Sequence, residues 1–62
     1  MYEKLKKEMA RQGIAANRLA IKANITPSDF YNAMKGNKPF YPKWRERTAE
    51  ALGVDVSDIF DD

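Results

Sequence analysis

The 62-residue sequence contains neither cysteine nor histidine. With no thiol and no imidazole, disulfide staples, the usual zinc sites, Cys/His nucleophiles and Ser-His-Asp triads are excluded, because each needs one of those side chains. No apolar run reaches the length of a signal peptide core or a membrane span, and the opening MYEKLKKEMA stretch is charged and helix-like. The expectation is a cytoplasmic protein with no membrane partner, no metal and no cofactor. Strand-type alternation is also missing, as are internal repeats, low-complexity tracts and a plausible linker. The reading is therefore one all-α domain over residues 1–62. A chain this short buries only about 60% of the surface it exposes when unfolded, so there is room for one core.

Net charge is only +2, yet its distribution is uneven. All eleven Lys and Arg fall within residues 1–47 against four acids, Glu3, Glu8, Asp29 and Glu46, which leaves +7 there. Residues 48–62 carry five acids and no base, a net −5. A basic body with an acidic tail suits a polyanionic partner touching one end, although a small solvated surface gives the same sums.

Glycines 13, 36 and 53 divide the chain as helix stops would. Tyr2, Leu5 and Met9 recur at helical spacing in a first helix, with Lys4, Lys7 and Arg11 elsewhere on its surface. Ile14 leads into a second, Ala16 to Ala23, whose small residues allow close packing. Thr26, Pro27 and Asp29 form the clearest local signal: a cap, a first helical position suited to proline, and a carboxylate near the positive end of the dipole. The third helix is predicted over Pro27 to Lys35, with Phe30, Ala33 and Met34 inward and Ser28, Tyr31, Asn32 and Lys35 outward. Asn37 to Tyr41 reads as a loop. Pro42 opens a fourth helix with Trp44, Thr48, Ala49 and Leu52 on its apolar stripe. A last turn from Asp55 to Phe60 supplies Val56, Ile59 and Phe60, either to close the core or to form a dimer patch.

Two short helices joined by a tight turn at about 16–35 resemble the helix-turn-helix of the Cro and phage-repressor (Xre-type) family. Gly13-Ile14, Leu19-Ala20, Ile25-Thr26, Phe30, Gly36 and Ala49-x-x-Leu52-Gly53-Val54 carry the resemblance, which covers nearly the whole chain. It implies a lambda-repressor-like fold of four to five helices and a sequence-specific DNA-binding regulator, with Ala16 to Ala23 supporting and Pro27 to Lys35 as recognition helix. Two departures stand out. Ala15-Ala16 replaces the polar residue, commonly Gln, that opens the second helix and touches a phosphate. Met9 and Met34 occupy positions where an Arg and a Glu often pair; replacing both charges together removes two desolvation costs.

Carried over position by position, the family's base contacts fall on Pro27, Ser28 and Asn32, and Tyr31 lies on the same face. Asn32 suits adenine through two hydrogen bonds, a match worth about 1–3 kcal/mol of discrimination. Pro27 either meets a thymine methyl or only starts the helix. Phosphates are expected at Asn17, Arg18, Lys35, Asn37, Lys38 and Lys43, whereas Lys4, Lys6, Lys7 and Arg11 read as a solvated face of the first helix. Asp29 would repel phosphate, so capping is its expected task. The Phe40-Tyr41-Pro42-Lys43-Trp44 run also fits an aromatic platform for single strands, against packing of Trp44 and Phe40.

Three classes of function follow. The first is a small Cro-like repressor on double-stranded DNA, working as a homodimer or as a monomer that pairs only on DNA. The second is a protein-interaction module, an antitoxin-like or regulatory partner, on the same fold without DNA binding. The third, catalysis, has no paired acids in an evident cleft and little volume for a pocket, and the expectation is that the chain is not an enzyme.

Overall fold

The ends of the helices follow from local chemistry, and the computed structural model, which describes residues 1–61, places them within a residue or so of the predicted positions. The helices are α1 (Glu3–Gln12), α2 (Ala16–Lys22), α3 (Pro27–Lys35), α4 (Pro42–Leu52) and α5 (Val56–Ile59). The described residues contain no strand. The fold is all-α.

Helix α3 begins where the Thr26 hydroxyl accepts the Asp29 backbone N–H at 3.2 Å, with Pro27 in the first turn. It ends at Gly36, whose φ of +86° lies in the left-handed region that costs glycine nothing. That reversal sends the chain back across the last turn of α3, so that the N–H groups of Asn37 and Lys38 both reach the Asn32 carbonyl, at 2.9 and 3.3 Å. The turn between α2 and α3 uses Asn24 at φ +59°, a conformation asparagine tolerates better than most residues. At the C-terminal end the Asp58 carboxylate accepts the Asp55 N–H at 3.0 Å, fixing the single turn of α5.

Leu5, Leu19, Ala20, Phe30, Ala33, Ala49, Leu52, Ile59 and Phe60 form the core with Met9, Ala23, Ile25 and Phe40. Helix α2 packs on α3 and on α4, while α5 closes against α1 and α4. Thr48 is fully buried without penalty because its hydroxyl donates to the Trp44 carbonyl at 2.7 Å. Gln12 donates to the Leu52 carbonyl at 2.8 Å, satisfying one of the open carbonyls at the end of α4.

One loop residue does more than its sequence context suggests. Phe40, 2% exposed, is edge-on to Tyr2 and Phe30 with ring centroids 5.3 and 5.7 Å away, and lies 4.8 Å from Phe60. Such ring pairs contribute roughly 0.5–1.5 kcal/mol each beyond burial. Arg45 reinforces the hub, donating from Nε to the Phe40 carbonyl at 2.8 Å with its guanidinium 5.4 Å from the centre of the Phe60 ring. Tyr2 is held there with its backbone at φ +57°.

The packing bears on three expectations. Phe40 is buried and offers no face to a base, Trp44 is half-buried against the core and Tyr41, and Tyr41 itself is exposed. Ile59 and Phe60 close the core and leave only the half-buried Val56 for a dimer patch on α5. Met34, placed inward by periodicity, is half-buried and lines a surface cleft.

Candidate nucleic-acid interface

Burial of Phe30 and Ala33 fixes the rotation of α3 about its own axis. Residues at spacings of three, four and seven then share the opposite side, which places Ser28, Tyr31, Asn32 and Lys35 on one outer face. Ser28 and Lys35 are exposed, Tyr31 is 55% exposed and Asn32 is half-buried. Pro27 is exposed at the start of the helix. The face is thus a row of hydroxyl, phenol, amide and ammonium groups on a rod capped at both ends.

Each polar group on this row has a local setting. The Lys35 ammonium lies 4.5 Å from the centre of the Tyr31 ring, a cation–π geometry that holds the two side chains together. Asn32 Oδ1 accepts from Asn37 Nδ2 at 3.4 Å, which leaves its own Nδ2 and a second lone pair for a ligand. Asn37, expected at a phosphate, therefore stands beside the residue expected to read a base.

Lys38 and Asp29 form the second local pair, with Nζ 2.7 Å from Oδ1. The hydrogen bond from Lys38, followed by one from Thr26, holds the Asp29 carboxyl below its ordinary value, and the same bond raises the Lys38 ammonium. Asp29 was expected to cap. Its backbone N–H does so on Thr26, while its carboxylate neutralises the loop lysine expected to meet a phosphate. Among the described residues no ion pair holds Arg18, Lys35 or Lys43, and all three are exposed. Asn17 is exposed beside Arg18 near the start of α2. The structure brings together Tyr31 with Lys35, Asn32 with Asn37 and Asp29 with Lys38.

The cations of α1 separate into different settings. Lys4 donates to the Ser57 carbonyl at 2.8 Å and lies 3.2 Å from Asp61, at the α5 end. Arg11 pairs with Glu8, whose carboxyl is held below its usual value mainly by that bond. Lys6 instead lines a cleft with Tyr31 and Lys35. Lys4, Lys6, Lys7 and Arg11 are all exposed, as expected of a solvated face, and the division among them depends on which neighbours the other helices supply.

Among the described residues no cluster of acids could hold a metal ion, and no helix is long and apolar enough to cross a membrane. Comparison with protein-family models, with curated proteins and with solved structures finds no match to this chain. The functional reading therefore rests on the geometry of α3 and its surroundings.

Proposed function

We propose that the chain is a sequence-specific double-stranded DNA-binding regulator, acting as a small Cro-like repressor that inserts α3 into the major groove. The supporting observation is the outer face of α3, where Ser28, Tyr31 and Lys35 are exposed and Asn32 is half-buried beside them. An α-helix fits the major groove, and residues toward its N-terminus reach base edges. In this reading Ser28 and Asn32 contact bases, Tyr31 packs on a base or sugar, and Pro27 starts the helix at the groove. Arg18, Lys35 and Lys43 meet phosphates together with Asn17, while Lys38 does so only if released from Asp29. Repression is steric: an occupied operator excludes other proteins. A single recognition helix buries little surface, so useful affinity calls for two copies on half-sites about one helical turn apart.

The second reading is an antitoxin-like protein-interaction module. It is favoured by the apolar or neutral character of Ala15, Ala16 and Pro27 at expected contact positions, by the neutralised Lys38, and by Ile21, which is 66% exposed on α2. Selection of bound duplexes from a random pool, followed by titration against salt, separates the two. A recovered motif with affinity falling steeply with salt supports the first; no duplex binding even at low salt rejects it.

A further inference from the structure

The start of α1 and the outer face of α3 enclose a cleft of about 380 Å³, lined by Met1, Lys6, Ala16, Tyr31, Met34 and Lys35. Its floor is apolar, built from two thioethers, a methyl group and a phenol ring. Its basic groups are two ammonium groups, Lys6 from α1 and Lys35 from α3. The carboxylate nearest Lys6 is that of Glu3 at 4.0 Å, and Glu3 is already bonded at 3.0 Å to the terminal ammonium of Met1. Lys35 has no carboxylate partner among the described residues and lies over the Tyr31 ring. Met1 lies so close to Gly36 that a side chain there would meet its sulfur at 2.8 Å, which ties the mouth of the cleft to the end of α3.

We infer that this cleft seats the sugar–phosphate backbone of the duplex strand flanking α3, and that α1 joins the interface through Lys6. The inference rests on the DNA-binding reading above and extends it to a helix which that reading leaves out. A nucleic-acid strand alternates apolar sugar edges with anionic phosphates, and the cleft offers apolar floor and cationic groups in the same confined space. Tyr31 and Lys35 belong to both the cleft and the base-facing row, so a duplex engaged by one borders the other. Lys4 provides an internal contrast: two residues away on the same helix, it is committed to Ser57 and Asp61.

The test compares Lys6→Ala, Lys6→Arg and Lys4→Ala in the full chain, using random-sequence and selected duplexes over a range of salt. Lys6→Ala is expected to weaken both duplexes alike, about 3- to 10-fold at low salt, and to lower the slope of log K against log salt by about one. Lys6→Arg keeps the slope, and Lys4→Ala changes neither quantity. The methyl resonances of Met1 and Met34 should shift on addition of duplex but not of polyglutamate. If Lys6→Ala behaves like Lys4→Ala while Asn32→Ala and Lys35→Ala still alter binding, the cleft assignment fails and the DNA reading stands. Equal methyl shifts with polyglutamate would overturn it in favour of an acidic protein partner. Absence of duplex binding by the unaltered chain would remove both proposals together.

Discussion

The end of the molecule where α1, α4 and α5 meet and the outer face of α3 carry similar side chains put to opposite uses. At the first, cations are tied inward: Lys4 to Ser57 and Asp61, and Arg45 to the Phe40 carbonyl and the Phe60 ring. Phe40 and Phe60 are buried there, and the half-buried Tyr2 stands edge-on to both. At the second, Tyr31 and Lys35 stand outward against each other, and Ser28 is exposed. The difference teaches that residue type alone does not mark an interface. The acidic tail supplies a partner to Lys4, whereas Arg18, Lys35 and Lys43 have no ion-pair partner among the described residues.

The sharpest way to break this comparison is to remove the ring that organises the inward-facing end. Phe40→Ala should cost about 3–5 kcal/mol. A domain of this length has about 3–9 kcal/mol in all, at roughly 0.05–0.15 kcal/mol per residue. The variant should therefore lose at least about a third of that stability, read as a lower denaturation midpoint by circular dichroism, whereas Tyr41→Ala, at a half-exposed neighbour, should unfold close to the wild-type midpoint. A Phe40→Ala loss below about 1 kcal/mol in urea titration would show that the ring is not the organiser.

Next in size is a change confined to the outer face. Asn32→Ala should reduce preference at one base pair by about 1–3 kcal/mol while leaving random-sequence affinity and the melting temperature nearly unchanged. Unchanged sequence preference in competition binding would dismiss Asn32 as a reader. Lys35→Ala should act on all sequences alike and lower the salt slope by about one, where Lys4→Ala lowers nothing.

The smallest expected effect concerns Lys38, which is paired with Asp29. Asp29→Asn frees Lys38, and the salt slope should steepen by up to about one with affinity rising for every sequence. The pair also sets a pH dependence. Because Asp29 is held below its ordinary value when folded, its stabilising contribution is present above the unfolded carboxyl pKa of about 4 and lost as pH falls through the lower, folded value. Denaturation midpoints of the chain and of Asp29→Asn should differ slightly at neutral pH and converge in acid. A gap that instead widens in acid would contradict the pairing.

Much of the scaffold could be read before any coordinates. Thr26, Pro27 and Asp29 announced the start of α3, and Gly36 its end, because caps and stops act within a few residues and leave their signature in order. Phe40 was harder to assign, since a loop without periodicity offers no sign of which residue turns inward. The Asn32–Asn37 contact was equally hidden: it exists because the left-handed turn at Gly36 folds the next residues back over the helix. The division of Lys4 from Lys6 needs knowledge of what α3 and α5 place beside α1. Local backbone chemistry is short-ranged and visible in sequence; side-chain partners chosen by tertiary packing are not.

The anchoring of the segment after α3 by a single buried ring means that the outer face of α3 has no independent life. Phe40 clamps that segment to both chain ends through Tyr2 and Phe60, so warming or a substitution at the far side loosens α3 at the same moment. Under the proposed function, release of an operator and melting of the domain become one event, and an excised α2–α3 pair would inherit the letters of the code without the stiffness needed to spell them.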